Sequence, residues 1–295
     1  MCVELDLALH DSYLKRGLEL VNALTRTPWD QNLPVDLSAV FNSCIAWAST
    51  PGWAEIQRHI SKAFGGFHGV SSVELGCGEG KVSLLFALLG ATTTLFDYSA
   101  KQLDRARYIS QKFDVEPTIV HGNILELPES LCGQFDVAMS YGTAEHFFSE
   151  SRQEVFDAHL SVLKEGGLAI IWVPNRSAFL FHLGRAARTI SRRPICRVKE
   201  KSFGRRELAN RARAAGFCEV HIFGADLLRN DFRRFIVNVD RFLPRFKRAN
   251  MFGNPESARA KLLLRMSENN MTQSFLGEYF SYPLVLIAKR GVERR

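Results

Sequence analysis

Three groups of residues have the types and spacing to do chemistry. The first is Glu74-Leu75-Gly76-Cys77-Gly78-Glu79-Gly80. Glycines at alternate positions let the backbone turn tightly and approach a ligand closely, with the start of a helix behind them. The second is Asp97, 17 residues after Gly80 at the end of a β-branched run. A carboxylate there can accept from both hydroxyls of a ribose. The third is Glu145-His146. An imidazole titrating near ~6.5 is suited to taking a proton at neutral pH. The alternative for this pair is that His146 caps or packs the following loop while Glu145 orients it. His159, inside a helical pattern, and His121, on a strand, read as structural or exposed. The cysteines at 2, 44, 77, 132, 196 and 218 form no CxxC pair and no metal-ligand spacing. No metal site is therefore expected, and a reduced cytosolic compartment suits them.

The elements that must position these residues alternate between residues 70 and 224. Val70–Leu75 reads as a strand and Val82–Leu89 as a helix closed by Gly90. Thr92–Phe96 is a β-branched strand ending at Asp97, and Ser99-Ala-Lys-Gln102 signals the cap of a helix running to about Phe113. Thr118–Val120 and Phe135–Ser140 are strands. Ser151-Arg-Gln-Glu154 reads as a capping box for a helix stopping at Gly166-Gly167, and Leu168–Val173 is a strand closed by Pro174. A helix over Arg205–Ala215 ends at Gly216, Phe217–Phe223 is a strand, and Pro283–Lys289 gives the last one. Strand–helix alternation at this spacing predicts a doubly wound α/β sheet with a buried parallel core. Residues 1–69 form an N-terminal helical cap interrupted by Pro28, Pro34 and Pro51, 70–224 the core, 225–280 a helical insertion, and 281–295 the last strand with a basic tail. In the insertion Phe232, Phe235, Ile236, Val239, Phe242 and Leu243 share one helical face. That face packs on the domain or serves as a lid or homodimer surface.

The motifs ELGCGEG, LFDYS, HGNILELP, FDVAMSYGTAEHF and LKEGGLAIIWVPN occur in order. They closely resemble those of class I S-adenosylmethionine-dependent methyltransferases, over about residues 70–224 and the last strand. A nicotinamide dinucleotide fold is the main rival, but its GxGxxG fingerprint places the third glycine three residues after the second, whereas Gly80 follows Gly78 by two. The resemblance implies a Rossmann-like seven-stranded sheet, mostly parallel with an antiparallel last strand. It implies S-adenosylmethionine as cofactor and S-adenosylhomocysteine as product. Glu74, Gly76, Cys77, Gly78 and Gly80 would then line the methionine and ribose parts, Asp97 would hold the ribose hydroxyls, and Tyr98 would lie against adenine. Asn123, where the family usually has Asp, and Ile124 would contact the adenine edge. Ser140-Tyr141 would approach the methionine amino group.

Methyl transfer needs a nucleophile aligned with the sulfonium methyl and kept from water. The (N/D/S)PP(Y/F) motif of nucleobase N-methylation is absent after the fourth strand, and no cysteine sits in a Pro-Cys or Thr-Cys context. Base modification is thus disfavoured. AEHF, VPN and the basic stretch resemble small-molecule methyltransferases, and the O-methyltransferases of ubiquinone biosynthesis share the layout. The expected acceptor is a small or lipid-like molecule methylated at oxygen, nitrogen or carbon. Methylation of RNA or protein, or a cofactor-binding module without catalysis, are the alternatives. Trp53 and the pair Tyr279-Phe280 line the acceptor pocket or belong to the core.

The 295 residues carry a net charge of +7, but residues 1–175 hold −9 and residues 176–295 hold +16. With 46% hydrophobic and 23% charged residues, disorder, collagen and coiled coil are excluded. No apolar run approaches the ~20 residues of a membrane span, and Met1–His10 lacks the basic start of a secretory signal. Over 178–193, Phe179, Leu180, Leu183, Ala186, Ala187 and Ile190 form an apolar arc opposite Arg185, Arg188 and Arg192, with Phe181 beside them. Such a helix can pack on the sheet, lie on an anionic bilayer or meet an anionic substrate. The aromatics near Phe232–Arg234 and Phe242–Arg248 suit a buried stripe better than a nucleic-acid stacking platform.

Overall fold

A computed structural model describes residues 35–48, 50–179, 182–183, 198–225 and 282–292. The expectations for residues 1–34, for most of the 178–193 helix, for the 225–280 insertion beyond Ala225 and for Tyr279-Phe280 lie outside them.

Among the described residues two helices precede the sheet, α1 (Leu37–Ala48) and α2 (Pro51–Phe64). Pro51, expected to interrupt, instead opens α2. Its fixed φ suits the first turn, Thr50 Oγ1 accepts from the Trp53 amide at 3.2 Å, and Gly65 ends the helix in the left-handed region at φ 78°. The alternating unit follows as β1 (Ser71–Leu75), α3 (Lys81–Leu88), β2 (Thr92–Asp97), α4 (Ala100–Lys112), β3 (Thr118–His121) and β4 (Phe135–Tyr141). It continues through α5 (Ser151–Val162), β5 (Leu163–Pro174), α6 (Arg205–Ala215), β6 (Phe217–Gly224) and β7 (Pro283–Arg290).

The seven strands lie in the order β3-β2-β1-β4-β5-β7-β6. β7 runs antiparallel to both β5 and β6, and every other pairing is parallel. This is the doubly wound α/β sheet that the strand–helix alternation predicts. One face packs Val137, Met139, Ile170, Val285 and Ile287 against Trp53, Ile56 and Ile60 of α2 and Val82 and Phe86 of α3. Leu103 and Ala106 of α4 cover Leu95 on that same side. The opposite face packs Ala138, Ile171, Val173 and Leu286 against Val155, Phe156 and Val162 of α5 and Leu208 and Ala212 of α6. Trp53 therefore belongs to the core, stacked on Phe67 with centroids 5.9 Å apart.

Two local readings are corrected. Ser151 does not cap α5; Glu150 occupies the cap position, and the Ser151 hydroxyl donates to the Phe148 carbonyl at 2.7 Å. α5 also ends at Val162, ahead of Gly166-Gly167. Those glycines shape an irregularity inside β5, where the pairing with β4 jumps from Phe135↔Leu163 to Val137↔Leu168. Gly166 has φ 78°, and a Cβ on Gly167 would stand 2.9 Å from the Lys164 carbonyl oxygen, so a side chain is excluded where the strand folds over itself.

Candidate active site

Strand order reverses between β1 and β4, and in open α/β sheets ligands bind outside the carboxyl ends of strands at such a point. The turn after β1 carries the glycines, with φ 76° at Gly76, 53° at Gly78 and 68° at Gly80. All three lie in the region that disfavours side chains. A Cβ on Gly76 would collide with Thr143 at 2.5 Å, and the Thr143 hydroxyl donates to the Gly76 carbonyl at 3.1 Å. The loops after β1 and β4 thus touch. At Gly78 a Cβ would meet nothing within 4 Å, so the backbone there faces open space that a ligand can occupy.

Two buried acids frame this loop. Asp97 accepts from the Gly78 amide at 2.7 Å through one oxygen and from the Ser99 amide at 2.8 Å through the other. Burial raises its carboxyl, against the lowering effect of those backbone bonds. The Tyr98 amide bonds the carboxylate as well, which leaves an acceptor position for a hydroxyl. Glu74 is deeper; its Oε2 accepts from the Ser83 hydroxyl at 2.6 Å and the Ser83 amide at 3.2 Å. Burial pushes its pKa up to about 8 despite them. Glu79 pairs instead with Arg105 and with Lys81 (2.8 Å), fixing the start of α3 to α4.

Tyr98 is 60% exposed, its ring stacked near His121 at 6.5 Å, and the His121 ring donates to the Tyr98 carbonyl at 2.9 Å. That leaves a flat aromatic face at the rim. Asn123 Oδ1 accepts from the Leu125 amide at 3.1 Å in an Asx turn, leaving one lone pair on the oxygen assigned to adenine. Ile124 is buried in the core, so only its backbone is available to a ligand. Cys77 is likewise buried, and burial drives its thiol well above the usual range.

The carboxyl end of β4 is unusual in its polar atoms. Ser140 Oγ, the Tyr141 hydroxyl and Glu145 Oε2 are buried without a hydrogen-bond partner among the described residues. Buried polar groups are nearly always satisfied, so three such atoms within six residues set the end of β4 apart from the rest of the core. Burial pushes the Glu145 carboxyl up to about 8, assisted by the nearby Glu200, and lifts the Tyr141 phenol well above its ordinary value. The Glu145 carboxyl folds back over Gly142. His146 ends a short 3-10 turn, Ala144–His146, with its Nδ1 3.1 Å from the Lys199 carbonyl oxygen. A carbonyl only accepts, so Nδ1 carries the proton and Nε2 of the neutral ring is the basic nitrogen. Lys199 thus takes the orienting position considered for Glu145. His159 is buried, donating through Nδ1 to the Val155 carbonyl at 2.7 Å, and burial lowers its pKa to about 4, so it stays neutral and structural.

Three contributors escape a reading of motifs. Trp47 of α1 stacks on Trp172 with centroids 4.2 Å apart and meets Tyr141 edge-on at 4.8 Å. Only the pairing of Tyr141 with Trp172 across β4 and β5 brings these together. Thr143 locks the two loops, and Arg152 anchors the wall beyond them. The Arg152 guanidinium bonds Glu207 at 2.9 Å and the carbonyls of Phe147, Lys201 and Ser202, and lies 3.4 Å over the Phe203 ring. The Lys201 amide in turn donates to the Glu145 carbonyl at 2.9 Å.

A methyltransferase-domain family matches residues 73–167. Two ubiquinone biosynthesis O-methyltransferases, from Shewanella pealeana and Cronobacter sakazakii, are each 29% identical over 120 residues. That stretch is 41% of this chain and 50% and 49% of theirs, so the chain spans about half the length of the curated relatives it matches. A solved structure of a candidate sarcosine dimethylglycine methyltransferase from Galdieria sulphuraria superposes with a TM-score of 0.50 at 14% identity, over 81% of this chain and 84% of that one. The glycine cradle with open space at Gly78, the ribose-competent acid at Asp97 and the buried polar atoms after β4 fit S-adenosylmethionine in its family position. Over residues 73–167 the chain thus resembles a methyltransferase domain, set within the seven-stranded sheet described above.

Proposed function

We propose that this chain transfers a methyl group from S-adenosylmethionine to an oxygen of a small or lipid-like acceptor. The observation that carries the reading is the set of buried, unpartnered polar atoms on Ser140, Tyr141 and Glu145 beside the glycine turn. When bound, the cofactor supplies an electrophilic methyl group. The protein's part is then to orient the acceptor, exclude water and hold or remove one proton. Asp97 and the Gly76–Gly80 backbone bind the cofactor's ribose and methionine portions. Ser140 and Tyr141 meet its polar end, with Glu74 supporting the loop through Ser83. Trp47, Tyr141 and Trp172 form an apolar wall suited to a planar or hydrophobic acceptor. His146 Nε2 takes the hydroxyl proton, and the neutral Glu145 carboxyl serves as a hydrogen-bond donor near the cleft. Oxygen is favoured because the relatives matched are named O-methyltransferases.

The test is release of S-adenosylhomocysteine when the protein is given S-adenosylmethionine and a panel of hydroxylated aromatic acceptors with and without prenyl tails. Release dependent on a phenolic hydroxyl is expected. Cofactor binding without product from any acceptor class would favour a binding module. His146→Ala should lower turnover by about a hundred- to ten-thousandfold, the range of general base catalysis. Its cofactor affinity should stay near wild type, and unchanged turnover would remove His146 from the mechanism.

A further inference from the structure

A second cluster lies away from the cleft, where α2 crosses the edge of the sheet. Glu55 and His59 are one turn apart on α2, and His221 projects from β6, 162 residues further along the chain than His59. Three atoms converge there: Glu55 Oε1, His59 Nε2 and His221 Nδ1. Their separations are 3.2 Å between the two imidazole nitrogens, 3.3 Å from His59 to Glu55 and 3.5 Å from His221 to Glu55.

Those lengths match the spacing of metal ligands as well as of hydrogen-bonded side chains. Nitrogen and oxygen ligands sit ~2.0–2.1 Å from a tetrahedral zinc ion, which places neighbouring donor atoms about 3.3 Å apart. An octahedral ion at ~2.1 Å would bring adjacent donors to about 3.0 Å. The three atoms here outline one face of the tetrahedron. Two imidazoles and a carboxylate are also a donor set that first-row divalent ions favour. The two ring nitrogens face each other, a contact in which only one can donate. A cation between them would satisfy both lone pairs together with the carboxylate. One is already drawn to these donors, since the Arg58 guanidinium touches Glu55 Oε1 and lies 3.4 Å from His59 Nε2. Arg58 is mostly exposed at 59% and pairs with both Glu55 oxygens, so an incoming divalent ion would displace it outward.

We propose that Glu55, His59 and His221 form a zinc-type divalent metal site with three protein ligands and a fourth position open to water or an external donor. His221 is half exposed, which gives the ion an entry path and leaves that fourth position on the solvent side. The site would staple α2 to the edge strand β6. The same helix begins against the end of β6, where the Gly52 amide donates to the Ala225 carbonyl at 2.9 Å and a Cβ on Gly52 would stand 2.5 Å from Ala225. Metal binding would therefore hold at a second point the helix that follows the Trp47 segment of the acceptor wall. The cysteine spacings give no hint of it, because its ligands are two histidines and an acid joined only by the fold.

The probe is cobalt(II), which reports tetrahedral coordination by visible absorption, added to the chelator-treated full chain, with zinc(II) as competitor. One equivalent should bind with a tetrahedral spectrum lacking thiolate charge-transfer bands and be displaced by zinc. His59→Ala and His221→Ala should each weaken binding at least tenfold, while Arg58→Ala should leave it equal or tighter. Zinc should raise the melting temperature of the wild type and not of His221→Ala, a half-exposed position whose folding is checked by circular dichroism. No binding by the wild type, or equal affinity in wild type and both histidine variants, would overturn the proposal. A thiolate signature abolished by Cys218→Ser or Cys132→Ser would do the same, both cysteines being exposed.

Discussion

At the scale of single residues, three buried acids frame the cleft. Asp97 is fixed by the backbone amides of Gly78, Tyr98 and Ser99, whereas Glu145 and Glu74 are held by burial with pKa values raised to about 8. Asp97→Ala should weaken S-adenosylmethionine binding about ten- to hundredfold, the equivalent of losing hydrogen bonds to a charged group; calorimetric affinity within twofold of wild type would remove the ribose assignment. The raised carboxyls also set a pH dependence of stability. Between an ordinary unfolded value near ~4.3 and the folded value, each binds a proton in the folded state that the unfolded chain does not bind. Stability is then highest below that window, falls as pH rises through it by about 1.4 kcal/mol per unit and per group, and levels off above the folded value. Glu145→Gln keeps the shape and removes the titration. Its chemical-denaturation midpoint should fall less steeply with pH than that of the wild type, and identical slopes would mean that Glu145 is ionised in the folded state.

At the scale of elements, the wall behind the site depends on one buried cation. Arg152 on α5 gathers Glu207 of α6 and three carbonyls, tying the loop after β4 to the segment before α6 that contacts Glu145 and His146. Burial disfavours its charge, and the Glu207 carboxylate opposes that. Arg152→Met should destabilise by about 3–5 kcal/mol, as removing one member of a buried pair does, read as a lower urea midpoint. A loss below about 1 kcal/mol would show that the wall holds without it. The strands and helices were legible because their signals are local: Ser99 caps α4 through the Gln102 amide, Gly216 ends α6, and the glycines after β1 turn where their spacing says. The errors were local signals that tertiary context overrode. Gly166-Gly167 resembles a helix stop but serves a bulge set by pairing with β4, and Ser151 satisfies the turn before it instead of the helix. Motif spacing also singled out Glu74, Asp97 and the glycine turn, which the fold brings to one end of the sheet. It could not find Arg152, Trp47 or the Glu55–His59–His221 set, whose partners are far apart in sequence and meet only through packing.

At the scale of the whole molecule, the charge division now has a structural counterpart. The acidic first part contains the glycine turn after β1 and the buried acids Glu74 and Asp97. The basic part begins directly after β5, where Asn175 pairs with Phe203. Phe179, 66% exposed, and Leu183 project there from the start of the predicted amphipathic stretch. Among the described residues no helix is long and apolar enough to cross a membrane. A surface contact of the basic segment with an anionic bilayer, supplying a lipid-like acceptor, is our proposal for the +16. Vesicles containing phosphatidylglycerol should sediment the protein and release it as salt rises, whereas neutral vesicles should not; equal binding to both would leave the charge without this partner. The account as a whole stands on the cleft between β1 and β4. Its most direct test is calorimetric titration of the wild-type chain with S-adenosylmethionine. One equivalent should bind, with affinity reduced by Asp97→Ala, and an absence of binding to the wild type would contradict the account.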